Sequence, residues 1–332
     1  MNTEKTSKQP AVLPVTTPSF FQILEVTEEP FAIKEHRDWA IRHAGLTKFP
    51  YKGKGQRVGV LDTGCDKFHQ DLDGQVRAVN FIHGNKQEPA WRDDCGHGTF
   101  CTGEIVAKED GRGIVGAAPQ ATAFHGRVLY GDKRDYKRTA GRTDIADAIR
   151  ACVKDGCGVI SMSIGGPGAN PLIRDALQHA VSAGVIPIAA AGNERVDGSP
   201  YASYPASYPT VVSVASANSE NMPAWFSTVG AGRKDVNQPE VAVASLEFYW
   251  GCMPGRRTYG KMIGTSMATP LIAAVALLWR EARMKAIKPF PTGEDVLKEF
   301  RTWLHRVAND TNKNGWDPEL GYGVLLLEDG EL

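Results

Sequence analysis

No stretch of the 332 residues approaches the roughly 20 consecutive apolar residues that a bilayer-spanning helix needs, which excludes a helical membrane anchor. An excess of one charge is also missing. With 38 Lys and Arg against 38 Asp and Glu, the chain has no basic surplus arguing for nucleic acid or an anionic membrane surface. The locally basic stretch from Lys133 to Arg138 is interleaved with acid and reads as a solvated loop. Cysteine is sparse for this length. Cys65, Cys95, Cys101, Cys152, Cys157 and Cys252 are too thinly spread for a disulfide scaffold, and the Cys152/Cys157 spacing is not a zinc motif. Internal repeats are absent, and the polar stretch Met1 to Gln9 reads as disordered. Met1 to Lys5 has none of the apolar character of a secretory signal, so a cytoplasmic location is expected, with export by another route as the alternative. With 42% apolar residues, the chain has enough material for a large core.

What is present is chemistry in ordered pieces. Gly264-Thr265-Ser266-Met267-Ala268-Thr269-Pro270 opens the apolar run Leu271 to Trp279 and puts a serine where a long helix begins. Helix N-termini carry unpaired N–H groups and favour negative charge, so an oxyanion forming beside Ser266 would be stabilised. A serine hydroxyl needs a base, and the base needs an orienting carboxylate. Arg57 to Leu61 reads as a buried strand with Asp62-Thr63-Gly64 at its carboxyl end, which makes Asp62 the candidate carboxylate. His97-Gly98-Thr99 precedes the compact segment Phe100 to Ala107, and His97 is the candidate base. Taken singly, each has a plainer use: Ser266 as a helix cap, His97 as a buried structural histidine, Asn193 after Gly192 as a turn residue. Asp-Thr-Gly also occurs in aspartic peptidases, but those need two such carboxylates, and no second copy is present. The order Asp, His, Ser is one of the chain orders in which a catalytic triad is built.

These motifs resemble those of the subtilases, the subtilisin-like serine peptidases. Ala189-Ala190-Ala191-Gly192-Asn193-Glu194 is similar to the segment whose asparagine donates to the oxyanion, and the four motif residues are separated by 35, 96 and 73 positions. The resemblance runs from about Trp39 to about Leu326. It implies that Ser266 attacks the scissile carbonyl, His97 shuttles the proton, Asp62 stabilises the imidazolium, and Asn193 binds the oxyanion. It also implies an extended peptide paired along Ser163, Ile164 and Gly165, with Ala190, Ala191, Gly192 and Ser203 completing the pocket for the side chain before the cut. Ser203 stands where relatives often carry glycine, and a medium apolar side chain is expected there.

The fold class that follows is α/β: three layers, a mostly parallel sheet with helices on both faces, subtilisin-like. Expected strands are Arg57–Leu61, Thr122–Val128, Gly158–Ser163, Val185–Ala190 and Thr210–Ala215; expected helices are Thr143–Lys154, Pro171–Ala183, Thr265–Met284 and Glu294–Val307. Gly111 to Gly116 fits a dinucleotide fingerprint, but Ala117-Ala118-Pro119 breaks the helix that motif requires. In subtilases the corresponding loop wraps a structural calcium ion. The resemblance therefore puts Asp71, Asp110 and the carbonyls of Lys108, Arg112 and Ile114 on Ca²⁺, although two loop carboxylates are equally common without metal. Asp310 to Gly315 mimics the start of a calcium loop but has Gly321 where the closing Glu belongs, and reads as a turn.

Cys101, one helical turn after His97, should lie beneath the imidazole as a packing residue. The chain departs from the family pattern at Phe100 and Leu271, where many relatives have histidine, and throughout Val243 to Lys261. Residues 1–38 form an N-terminal extension in which Val12-Leu13-Pro14-Val15 resembles the leader of intracellular subtilisins, without its aromatic. Such a segment could inhibit by lying across the edge near Gly165; an untethered tail is the alternative. Residues 39–332 are read as a single peptidase domain. The function expected is a serine endopeptidase acting on polypeptides, with a quiescent peptide-binding scaffold as the alternative. An esterase is disfavoured because Gly264 to Ala268 lacks the second glycine of a nucleophile elbow.

Overall fold

Short strands buried on both faces need helices above and below them, and the connections between parallel strands supply those helices. The computed structural model describes residues 22–28, 36–82, 88–130, 142–195, 203–230, 238–246, 249–310 and 315–328. The Leu13-Pro14 leader and the Lys133 to Arg138 stretch lie outside them. The strands are β1 (Gln22–Glu28), β2 (Arg57–Asp62), β3 (Val76–Asn80), β4 (Thr122–Arg127), β5 (Val159–Met162), β6 (Ile186–Ala190), β7 (Val212–Ala217), β8 (Val241–Ala244), β9 (Tyr249–Cys252), β10 (Thr258–Ile263), β11 (Ala308–Asn309) and β12 (Val324–Leu325). The helices are α1 (Trp39–His43), α2 (His97–Val106), α3 (Arg142–Lys154), α4 (Pro171–Ser182), α5 (Thr265–Lys285) and α6 (Asp295–Val307).

Nine strands form one sheet in the order β11-β12-β8-β7-β6-β5-β2-β4-β3, parallel except for the β11–β12 pair. Side chains alternate across it as the two-residue strand period requires. Val58, Val60, Val159, Ile186, Ile188, Val212 and Val214 join the core that contains α2, α5 and α6, whereas Leu61, Ile160, Met162 and Ala189 join the core beneath α3 and α4. Gly59 lets α3 approach β2: a Cβ there would lie 2.4 Å from the Cys152 sulfur. This is the three-layer, subtilisin-like α/β architecture that the strand and helix pattern implies. Helix α5 runs through its centre, and every residue from Thr265 to Trp279 is buried. Among the described residues no helix is long and apolar enough to cross a membrane.

A second, antiparallel sheet has the order β1-β10-β9. Here the divergent 243–261 segment becomes a hairpin. Its close contacts explain one of its glycines, one in α2 and a departure elsewhere: Gly251 lies against the Phe100 ring, where a Cβ would sit 2.4 Å from it, and Cys252 packs over Gly103 of α2. Phe100, in place of the more usual histidine, is therefore the core partner of β9. β1 falls within the 1–38 segment and pairs from Gln22↔Ile263 to Glu28↔Thr258, and a further bridge joins His36 to Ile114.

Candidate active site

Parallel strands deliver their following loops to one edge of the sheet, and the candidate residues come from those loops. Asp62 ends β2, Ser163 follows β5, and Asn193 follows β6. His97 opens α2 and Ser266 is the second residue of α5. Asp62, His97 and Ser266 are fully buried.

His97 Nδ1 donates to Asp62 Oδ1 at 2.7 Å, and the Thr63 amide donates to the same oxygen at 2.7 Å. Burial alone would raise the Asp62 pKa, but the His97 imidazole and these hydrogen bonds outweigh it and hold the carboxyl below its ordinary range. Behind this pair, on β4, stands a second buried histidine that sequence patterning did not single out. His125 Nδ1 donates to Thr102 Oγ1 at 3.0 Å, and the Thr102 hydroxyl donates to the Gly98 carbonyl at 2.7 Å. Burial pulls His125 down to about 4, so it is neutral near pH 7.

Helix α5 begins from Gly264, whose φ of 145° is open to glycine but strained for other residues. Proline at 270 has no N–H to return to the carbonyl four residues earlier, that of Ser266. That carbonyl instead accepts the Ser163 hydroxyl at 2.7 Å and the Cys101 thiol at 3.5 Å. Cys101 also lies 3.9 Å from His97 Nδ1, beneath the imidazole. Burial pushes its thiol pKa well up, so it packs rather than competes as a nucleophile. Ser266 Oγ forms no hydrogen bond with a described residue; apo sites commonly close this contact only with substrate bound. The Asn193 side-chain oxygen accepts both the Thr265 amide at 3.0 Å and the Thr265 hydroxyl at 2.8 Å. Only an oxygen can accept both, so the NH₂ end is turned away from Thr265.

The segments expected to hold the substrate are brought together. Gly166 and Tyr204 exchange backbone hydrogen bonds of 2.9 and 2.8 Å, and the Ser203 amide donates to the Ala191 carbonyl at 2.9 Å. A carboxylate lies beside the residues expected to line the pocket. Glu194 folds back over Gly192, its Oε2 accepting from Thr228 Oγ1 at 2.9 Å and Ser203 Oγ at 3.4 Å. A Cβ on Gly192 would lie 2.1 Å from that oxygen, so the carboxylate sits against the Gly192 backbone.

Of the residues that the resemblance assigns to calcium, whose shell takes six to eight oxygens, the two carboxylates have the following protein partners. Asp71 is buried, and its Oδ2 accepts the Ile114 amide at 2.9 Å and the Tyr259 hydroxyl at 2.9 Å. Ile114 thus presents its N–H to the carboxylate. Asp110 is paired instead with Arg112 at 3.2 Å and Lys108 at 3.6 Å. The ligand-type side chains around Asp71 are His69 and Cys252. Burial raises Asp71 to about 6 and lowers His69 to about 4.

One residue of the site had no sequence motif. Asp93 is buried and accepts from Thr63 Oγ1 at 2.8 Å, the Gly96 amide at 3.0 Å, the Thr99 amide at 2.8 Å and Thr99 Oγ1 at 2.7 Å. The Gly96 cap of α2 has no side chain, so Asp93 caps the helix that carries His97 from outside it. A carboxylate four residues before a helix-opening histidine was the available signal. Asp93→Ala would orphan several buried donors at about 1–3 kcal/mol each. We therefore expect a loss of about 3 kcal/mol or more in urea unfolding, with Asp93→Asn milder because it keeps one acceptor oxygen; a loss below about 1 kcal/mol in the alanine variant would refute this capping role.

Comparison with known proteins agrees with this geometry. The profile of the Subtilase family matches residues 53–323. Subtilisin NAT of Bacillus subtilis subsp. natto is 35% identical over 250 residues, covering 75% of this chain and 60% of that protein. The major intracellular serine protease of Bacillus subtilis (strain 168) is 36% identical over 264 residues, 77% of each chain. Subtilisin BL of Lederbergia lenta is 35% identical over 252 residues, 76% of this chain and 84% of its own. The match thus spans less than two thirds of the length of subtilisin NAT.

Proposed function

The chain belongs to the subtilase family, and on that footing we propose that it is a serine endopeptidase hydrolysing polypeptides through an acyl-enzyme. The observation that carries this reading is the buried Asp62–His97 pair at 2.7 Å, with Cys101 touching both the imidazole and the Ser266 carbonyl. In the proposed mechanism Ser266 Oγ attacks the scissile carbonyl as His97 Nε2 takes its proton, and the imidazolium then returns that proton to the leaving amine. Asp62 stays ionised and stabilises the imidazolium. The oxyanion is held by the Asn193 NH₂ and the Ser266 amide at the N-terminus of α5, donors fixed in place before the charge develops. The substrate backbone pairs with Ser163 to Gly165, which is tolerant of sequence.

Ser266→Ala and His97→Ala should each lower kcat by about 10⁶-fold, and the double variant should be little worse, because the residues act as a unit. Asn193→Ala should lower kcat by roughly 100- to 1000-fold, the loss seen on removing an oxyanion donor in subtilisin, with KM nearly unchanged. Casein hydrolysis and labelling by a fluorophosphonate read both. Full activity in Ser266→Ala would end the proposal, and an intact fold without turnover or labelling would leave the peptide-binding scaffold.

The carboxylate of Glu194 suits a basic or hydrogen-bonding side chain before the cut better than a purely apolar one. Cleavage-site profiling on a peptide library should show Lys or Arg at that position, reduced about tenfold or more by Glu194→Gln. A profile dominated by Leu and Phe and indifferent to that change would restore the apolar pocket.

The 1–38 extension is proposed as a regulator of the 39–332 peptidase domain. What supports this reading is the register Gln22↔Ile263, which pairs the start of β1 with a residue three positions before Ser266. A tether of this kind gives an effective concentration on the order of millimolar, and weak affinity suffices for inhibition. Starting the chain at Gln22 keeps β1 and removes the leader; initial rates should rise and the lag of the full chain should vanish. Equal rates without a lag would make residues 1–21 a passive tail. Action inside the cell, as the name of the major intracellular serine protease states for that relative, is part of the same reading, and cell fractionation checks it.

A further inference from the structure

Helix α3 closes on a left-handed glycine. Gly156 has a φ of 76° and donates its amide to the Val153 carbonyl at 3.1 Å, while the Cys157 amide donates to the Cys152 carbonyl at 3.0 Å. A helix end held by these two bonds brings the side chains of the outer pair together, most often as an apolar contact. Here the outer pair is Cys152 and Cys157, and their thiols are hydrogen-bonded to each other. Both are free cysteines.

The contact is fixed from several sides. The Cys152 sulfur is seated on Gly59 of β2, where a Cβ would lie 2.4 Å from it, and Cys157 leads into β5 through Gly158, whose amide donates to the Arg57 carbonyl at 2.9 Å. Between the two cysteines, Asp155 pairs with Arg57 at 2.8 Å and also with Arg77, which ties the turn to β2 and β3. Burial pushes the Cys152 thiol well up, and its bond to Cys157 adds to the shift, so Cys152 stays protonated in the closed turn. Cys157, 3% exposed and next to the exposed Gly156, is the sulfur nearer to solvent.

We propose that Cys152 and Cys157 are a redox-responsive pair that hydrogen peroxide converts to a disulfide. The Cys157 S–H bond breaks and its proton passes to solvent; the sulfur attacks one peroxide oxygen, the O–O bond breaks, and hydroxide leaves a sulfenic acid behind. Cys152 then gives up its proton, and its sulfur displaces hydroxide from the sulfenic acid as the S–S bond forms. Each hydroxide takes up one proton. Two thiols and one peroxide thus become one disulfide and two waters, the cysteines being oxidised and the peroxide reduced. The bond staples the end of α3 to the start of β5, and it is independent of the peptidase reading.

The test treats the reduced full chain with hydrogen peroxide, alkylates the remaining thiols and digests with trypsin without reduction. Cleavage after Arg150 and Lys154 puts the two cysteines in separate peptides, residues 151–154 and 155–174. Mass spectrometry should find these peptides joined, lighter than their sum by two hydrogens, and dithiothreitol should return both thiols. The melting temperature should rise by a few degrees with the bond in place and fall back on reduction, because closing the loop constrains the unfolded chain. Cys152→Ala should leave Cys157 without its resolving thiol, so that dimedone traps the sulfenic acid. Recovery of both cysteines as alkylated thiols overturns the proposal, as does either one joined to a different cysteine or oxidised to a sulfonic acid with no bond formed. A disulfide that lowers the melting temperature overturns the staple. Should the alanine variant fail to fold, the joined peptide from the unsubstituted chain decides.

Discussion

A hydrogen bond that cannot form organises the centre of this molecule. Pro270 offers no N–H to the carbonyl of Ser266, one turn earlier in a helix that is otherwise continuous and buried. A buried carbonyl left without a donor costs about 1–3 kcal/mol, so the fold must bring it one. The donors are Ser163 from the end of β5 and Cys101 from α2. The backbone of the candidate nucleophile is thereby fastened to the substrate edge on one side and to the helix of the candidate base on the other. Three elements that are distant in sequence are held in one geometry by the consequences of a single proline.

The same economy explains the departures from the family pattern. Phe100 and the 243–261 segment look like unrelated irregularities when met along the chain. In space they are one adaptation: the Phe100 ring needs a flat face with no side chain, and Gly251 provides it. Cys252 then packs over Gly103, and the Met253 side chain comes within 2.4 Å of where a Cβ on Gly96 would be. The hairpin so seated gives β1 an edge to pair with and brings Cys252 to His69 and Asp71.

What could be read from the chain follows burial. Strands β2, β4, β5, β6 and β7 and the four long helices fall within about two residues of the expected bounds, because continuous apolar runs and flanking turn residues mark them. β3, half-exposed along its length, carries no such signal, and β8, as buried and as short as β5, was not among the expected strands. The β9–β10 hairpin was illegible for another reason: its Gly251 reports a contact with Phe100 of α2, more than 140 positions earlier in the sequence, and no local pattern encodes it. The candidate triad was legible because its chemistry demands fixed residue types, while Asp93 and His125 act through bonds that many residue types could make elsewhere. The calcium assignment shows the converse. Asp71 is recognisable by position, yet its neighbours Tyr259, His69 and Cys252 include two residues from a hairpin whose sequence departs from the family pattern.

Burial also sorts the charges of the candidate site. Asp62, Cys101 and His125 are all fully enclosed, and desolvation pushes each toward its neutral form. Cys101 and His125 yield to it and stay uncharged. Asp62 does not, because the His97 imidazole and two donors on one oxygen reward ionisation more than burial penalises it. Of the three, the one that remains charged is therefore the carboxylate aimed at His97. In a low-dielectric setting that charge is barely screened, and an imidazolium formed opposite it is stabilised without reorganising solvent. The neutrality of the surrounding buried groups serves the same effect: a protonated His125 would draw on the Asp62 charge alongside His97, and an ionised Cys101 would repel the Asp62 carboxylate.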